Sequence, residues 1–158
     1  MLDIPYNLVL VPRTFLFIGK VELAKLPLFG FFYKRTNILV NRASLRSRKE
    51  AMDKAAQKLD EGYSLCIYPE GGVPDYDEFL GSFKDGAFRL AIEKNLPLLP
   101  ITFADNKKAY PYRWNIGGPR TLRSTIHHPI YPDGRSLKEL KEEVRQVFTN
   151  ELNRYNHQ

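Results

Sequence analysis

Residues 64–72 read Ser64-Leu65-Cys66-Ile67-Tyr68-Pro69-Glu70-Gly71-Gly72. An apolar run of strand length meets Pro-Glu-Gly-Gly, so a carboxylate and two glycines stand just past the carboxyl end of a buried strand. A helix pattern precedes it. Ser47-Arg48-Lys49-Glu50 has the S-x-x-E form of a capping box, Ala51, Ala55, Ala56 and Leu59 recur on one face, and Gly62 suits the left-handed position that closes a helix. After a turn-rich loop over residues 69–81 come a second helix, residues 85–94 with Ala87, Leu90 and Ala91 inward, and a further strand over residues 98–103. Helix-strand-helix-strand order over about 60 residues predicts an α/β domain with at least one parallel pairing.

The flanks extend this pattern. Residues 8–10 and 15–18 are short apolar runs around Pro12. Residues 22–33 carry Leu23, Leu26, Phe29, Phe32 and Tyr33 at helical spacing, and residues 38–41 form a short strand. Residues 111–132 are irregular, with strands near 121–126. Ser136-Leu137-Lys138-Glu139 is a second capping box, opening a last helix with Leu137, Leu140, Val144, Val147, Phe148 and Leu152 on its apolar face. There is no internal repeat, and residues 1–158 read as a single domain.

The 24 lysines and arginines against 18 aspartates and glutamates give a net charge of +6, which favours an anionic partner: a phosphorylated small molecule, an acidic lipid headgroup or nucleic acid. Nucleic acid is disfavoured, because basic residues are scattered among acidic ones and no recognition signature is present. A single cysteine, Cys66, excludes an internal disulfide and a multi-cysteine zinc site. Apolar stretches such as residues 26–33 fall short of the ~20 residues of a membrane span. The opening Met1-Leu2-Asp3-Ile4-Pro5 lacks the order of a signal peptide. The expected location is the cytoplasm or a cytoplasmic membrane face.

Several residues could carry chemistry. Glu70 lies where open α/β sheets place ligands, and Gly71 and Gly72 allow close approach of a substrate and convergence of amides on an anion. The same segment reads equally as a loop with a solvated glutamate. Arg42 also stands at a strand end, suited to bidentate phosphate binding, or else an ordinary surface arginine. Lys84 in Phe83-Lys84-Asp85-Gly86-Ala87 could meet an anion, or Asp85 could simply favour the helix dipole. Pro97 and Pro100 bracket Leu98-Leu99, able to line an apolar channel or to be core. His127 and His128 are adjacent, so in an extended segment they point to opposite faces and make a poor two-ligand site.

Taken in order, these pieces resemble the 1-acylglycerol-3-phosphate (lysophosphatidic acid) acyltransferases. The opening resembles the end of that family's Asn-His-x-x-x-x-Asp block, with Asp3 as its aspartate. Residues 17–30 resemble the lead into the second block, which ends in Ile38-Leu39-Val40-Asn41-Arg42. Tyr68-Pro69-Glu70-Gly71 resembles the third block, Phe83-Lys84-Asp85-Gly86-Ala87 the segment after it, and residues 96–101 the proline-rich fourth block. Three departures stand out. The family's histidine would lie five residues before Asp3, Thr36 replaces a glycine, and Gly72-Val73 replace Thr-Arg.

The resemblance implies a mixed, mostly parallel sheet flanked by helices, with the family's first strand missing from these residues. It implies acyl transfer from acyl-CoA or acyl-carrier protein to the free hydroxyl of 1-acylglycerol-3-phosphate at a membrane surface, giving phosphatidic acid. A histidine oriented by Asp3 takes the hydroxyl proton. Arg42, Glu70, Gly71, Gly72 and Lys84 bind the acceptor, and Pro97 and Pro100 line the donor's path. No metal and no cofactor beyond the acyl donor is implied. Without the histidine, the 158 residues read as an N-terminally truncated domain, peripheral at the inner membrane face and almost inactive alone. The alternative is a non-catalytic remnant that binds lipid or a partner.

Overall fold

The computed structural model describes residues 3–12, 14–72, 80–109, 118 and 121–156, with the side chains of residues 3–5, 107 and 108 left aside. The element order is α1 (Asp3–Leu10), β1 (Phe15–Lys20), a 3₁₀ turn (Val21–Lys25), α2 (Phe29–Thr36), β2 (Asn37–Val40), α3 (Leu45–Asp60), β3 (Ser64–Cys66), α4 (Gly86–Lys94), β4 (Ile101–Phe103), α5 (Asn106–Ala109), β5 (Ser124–Ile126) and α6 (Leu137–Asn156). The architecture is mixed α/β with a parallel sheet flanked by helices. The chain divides into two compact units: Arg13–Gly71, and Met1–Pro12 with Gly72–Gln158.

The Arg13–Gly71 unit is built on a three-stranded sheet of order β2-β1-β3, in which β1 pairs parallel with both neighbours. The register runs from Phe17 opposite Asn37 to Lys20 opposite Val40, and from Phe15 opposite Ser64 to Phe17 opposite Cys66. Parallel neighbours need crossovers, which α2 and α3 supply. α3 packs on β2 and β3 through Ala51 and Ala55, whose small side chains let the helix lie close to the sheet. Its end is a Schellman motif. The Tyr63 amide donates to the Lys58 carbonyl and the Gly62 amide to the Leu59 carbonyl, both at 3.0 Å, with Gly62 at φ +86°.

Three sequence expectations change here. The helix predicted over residues 22–33 is a 3₁₀ turn and a separate α2: Pro27 interrupts the pattern, and Leu28 takes φ 59° before the chain turns helical again. The start of α3 is capped by Ser44, whose Oγ accepts from the Ser47 amide at 3.2 Å; Ser47 Oγ accepts from the Asn41 amide instead, and Glu50 pairs with Arg46 at 2.8 Å. The strand expected to run buried to Tyr68 ends at Cys66 and is half-exposed, because it pairs only over Phe15–Phe17 of β1.

In the second unit, β4 and β5 pair antiparallel, Ile101 opposite Ile126, and an isolated bridge joins Leu98 to Ile130. The core lies between α4 and α6: Phe83, Phe88, Ala91, Ile130, Leu140 and Val144, with Leu80, Leu98, Leu137, Val147 and Phe148 packed against it. The predicted capping box of α6 forms, the Ser136 amide donating to Glu139 Oε2 at 2.8 Å and the Glu139 amide to Ser136 Oγ at 3.3 Å. Of the strands expected near residues 121–126, β5 occupies the last three positions. Among the described residues no helix is long and apolar enough to cross a membrane.

Candidate functional site

Because β1, β2 and β3 are parallel, their carboxyl ends share one end of the sheet. Arg42 follows β2 and the Tyr68–Gly71 turn follows β3, so Arg42, Glu70 and Gly71 are brought to that end, on strands flanking β1 about 10 Å apart. Arg42 is exposed and sits in a tight turn: Asn41 Oδ1 accepts from the Ala43 amide at 3.1 Å, and the Asn41 carbonyl accepts from the Ser44 amide at 3.1 Å. The second turn is closed by the Gly71 amide donating to the Tyr68 carbonyl at 3.1 Å, with Gly71 at φ +66°, where a Cβ would be strained. The Tyr68 ring stacks on Phe17, centroids 6.4 Å apart and nearly parallel. Half-buried Glu70 is thus carried on a braced turn.

A tyrosine that the sequence reading treated only as part of a helix face underlies this end. Tyr33 is buried, and its ring fills the space over Gly19, where any side chain would meet the phenol. Burial pushes the Tyr33 hydroxyl pKa above its usual value, against the opposing pull of a backbone hydrogen bond at Lys20 and of the nearby Arg42 charge. α2 reaches this position without the expected glycine at residue 36. Thr36 Oγ1 donates to the Phe32 carbonyl at 3.2 Å and Asn37 Nδ2 to the Tyr33 carbonyl at 2.9 Å, closing the helix with side chains.

The remaining predicted site residues belong to the other unit. Asp3 is the first residue of α1; its side chain lies outside those described. α1 is tied down by Tyr6, whose Oη donates to the Leu122 carbonyl at 2.9 Å and accepts from Ser124 Oγ at 3.2 Å. Gly72 is exposed, and a Cβ there would meet nothing within 4 Å. Lys84 is exposed ahead of α4, and Pro97 is exposed past its far end, so the helix holds them about 14 Å apart along its axis. Pro100 is buried, its carbonyl accepting from the His127 amide at 3.0 Å.

Asp85, expected to favour the helix dipole, stands at the N-cap of α4 without a side-chain cap hydrogen bond and is engaged by α6. Lys141 Nζ donates to its carboxylate at 2.9 Å, tying α4 to α6 and holding the Asp85 pKa below its usual value. A cleft of about 580 Å³ beside this pair is lined by Phe83, Asp85, Leu137, Lys141 and Arg145 among others. Two of its cations are engaged: Lys141 by Asp85, and Arg145 by the Gly81 and Leu80 carbonyls at 2.8 and 3.3 Å.

His127 is half-buried and His128 exposed, the opposite faces expected of neighbours in extended chain. His127 Nε2 and Thr102 Oγ1 are hydrogen-bonded at 2.8 Å, and the ring stands edge-on to Phe148. Burial lowers the His127 pKa below 6.5, outweighing the opposite effect of Glu151. The unfolded chain therefore binds this proton more readily than the folded one, and stability falls as pH drops below about 6.5. In urea titrations from pH 7.5 to 5, the wild type is expected to lose more stability than His127→Gln. Parallel curves would contradict this.

The strand-end arrangement can hold a phosphomonoester on the Arg42 guanidinium in bidentate fashion, while the Glu70 carboxylate accepts a hydrogen bond from a substrate hydroxyl. The Arg13–Gly71 stretch that forms this sheet end contains no histidine.

Comparison with known proteins points the same way. An acyltransferase family model matches residues 1–104. A chloroplastic 1-acyl-sn-glycerol-3-phosphate acyltransferase of Arabidopsis thaliana is 31% identical over 153 residues, covering 96% of this chain and 42% of that protein. A 1-acyl-sn-glycerol-3-phosphate acyltransferase of Haemophilus influenzae is 32% identical over 109 residues, covering 67% of this chain and 45% of that protein. The crystal structure of the 1-acyl-sn-glycerophosphate (LPA) acyltransferase PlsC from Thermotoga maritima superposes with a TM-score of 0.80 at 28% identity, over 100% of this chain and 63% of that one. The chain spans under half the length of these two plant and bacterial relatives.

Proposed function

We propose, for a chain that belongs to the acyltransferase family, transfer of an acyl group from acyl-CoA or acyl-carrier protein to the free hydroxyl of 1-acylglycerol-3-phosphate, giving phosphatidic acid. The observation that carries this reading is the placement of Arg42 and the Glu70-Gly71 turn at one end of the parallel sheet. In it, Arg42 holds the acceptor phosphate and Glu70 accepts from a glycerol hydroxyl. The attacking oxygen forms a bond to the thioester carbonyl carbon, the carbon–sulfur bond breaks, and the departing thiolate takes up the proton. Lys84 supplies further positive charge in place of the third-block arginine, Gly72 leaves the backbone open to substrate, and Pro97 and Pro100 shape the donor's path. The reaction runs at a membrane surface, where the acceptor resides.

Proton removal needs a histidine five residues ahead of Asp3, with Asp3 orienting it. Residues 1–158 by themselves are therefore expected to bind lysophosphatidic acid and to make almost no phosphatidic acid. Joining an upstream segment that places Asn-His ahead of Asp3 is expected to give turnover, which Asp3→Ala abolishes. The measurement is phosphatidic acid formed from lysophosphatidic acid and radiolabelled acyl-CoA or acyl-carrier protein. Robust turnover by the 158 residues alone would sink the assignment of the base. Lysophosphatidic acid binding without thioester consumption in either polypeptide would favour a non-catalytic binding protein instead.

A further inference from the structure

Residues 25–35 leave an apolar surface in water that the fold does not use. α2 turns Gly30 and Tyr33 inward, one helical turn apart. On its other faces Phe31 is 57% and Phe32 65% exposed, and just ahead of the helix Leu28 is 87% exposed. Leu26 and Phe29 are also exposed. Isolated exposed apolar residues are ordinary, but five within seven positions form a patch. Leu28 is also held at φ 59°, which a leucine adopts at a cost.

Charge identifies the occupant. Residues 23–49 contain seven basic and no acidic residues, so the basic residues are less evenly scattered than the composition suggested. Lys25, Lys34 and Arg35 rim the apolar patch and are exposed. The Arg35 guanidinium lies 3.6 Å over the Phe31 ring and donates to the Phe31 carbonyl at 3.1 Å, so charge and aromatic face are presented together. Aromatic and aliphatic tips rimmed by cations, with Glu22 of the preceding turn as a nearby carboxylate, match the boundary between headgroups and acyl chains in an anionic bilayer.

We propose that the surface formed by residues 25–35 docks on an anionic lipid bilayer, with Leu28, Phe31 and Phe32 inserted and Lys25, Lys34 and Arg35 at the headgroups. This deepens the reading of a membrane-borne acceptor and rests on it, yet its test requires no turnover. The 158-residue chain is sedimented with vesicles of phosphatidylcholine containing 30% phosphatidylglycerol, and with phosphatidylcholine alone. Binding is expected only to the anionic vesicles, weakening at high salt, since each basic side chain near such a surface is worth about fivefold in partitioning. Phe31→Ser with Phe32→Ser is expected to lower partitioning at least tenfold at unchanged far-UV circular dichroism. Leu28→Gly, which removes an inserted side chain and relieves the positive φ, should weaken binding while leaving the thermal midpoint equal or higher.

Absence of binding to anionic vesicles, or variants that bind like the wild type, would overturn the proposal. So would a lipid-free dimer, seen by analytical ultracentrifugation, that these substitutions dissociate, since the patch would then face a second copy. Vesicle binding without acyl transfer in the histidine-supplied chain would leave this surface standing and remove the catalytic reading. Transfer to micellar acceptor without vesicle binding would do the reverse.

Discussion

Arg42→Ala is expected to weaken lysophosphatidic acid binding by about 10- to 150-fold, the range for losing a hydrogen bond between charged groups, about 1.5–3 kcal/mol. The turn at Asn41 fixes where the guanidinium starts, and Lys20 of β1 stands opposite Val40, two positions earlier in the register. Arg42→Lys should recover only part of the loss, because an ammonium is a point charge and cannot make the parallel pair of bonds to phosphate. The contrast that isolates the phosphate contact is a neutral acceptor, a 1-acylglycerol lacking the phosphate. Its binding should change little on Arg42→Ala. Equal losses for both acceptors would mean that Arg42 shapes the turn and does not hold the anion.

Phe88→Ala is expected to cost about 3–5 kcal/mol, the range for emptying a fully enclosed aromatic position. Phe88 is 1% exposed and stacks on Phe83 at 6.1 Å, and Phe83 in turn stands edge-on to Phe148 of α6 at 5.8 Å. This aromatic series joins α4 to α6, so the cavity would open within the core between the two helices. A urea midpoint shift at unchanged m-value measures it. A loss below about 1 kcal/mol would mean that the helices are held by their polar ties, such as Asp85 with Lys141, and not by this layer.

The features legible in the sequence were those whose cause is local. The Ser136 box needs only residues three apart, and it formed as read. Gly62 likewise ends α3 through bonds within six residues. Arg42 and Glu70 were legible as polar residues directly after apolar runs, because a parallel sheet sends successive strand ends to one side. Where two local signals competed, the nearer one misled. Ser47 fits a box with Glu50, but Ser44 stands three residues earlier and Ser47 serves Asn41. In residues 22–33 the apolar period is helical while Pro27 forbids continuation, and the proline prevails. Tyr6 and Tyr33 carried no such signal. Tyr6 bonds a carbonyl 116 positions away, and Tyr33 matters because it fills the space over Gly19 on a neighbouring element.

That long tie has a kinetic consequence. Arg13–Gly71 is continuous in sequence, whereas the unit containing α1 is completed only by residues that follow it. During synthesis the continuous stretch can condense first, while the helix bearing Asp3 waits for Leu122 and Ser124 to leave the ribosome. Closing a loop of 116 residues costs about 2 kcal/mol more than closing one of about 15, so this docking belongs among the late events of folding. Pulse-labelled hydrogen exchange during refolding should accordingly protect amides of β1 and β2 before those of α1.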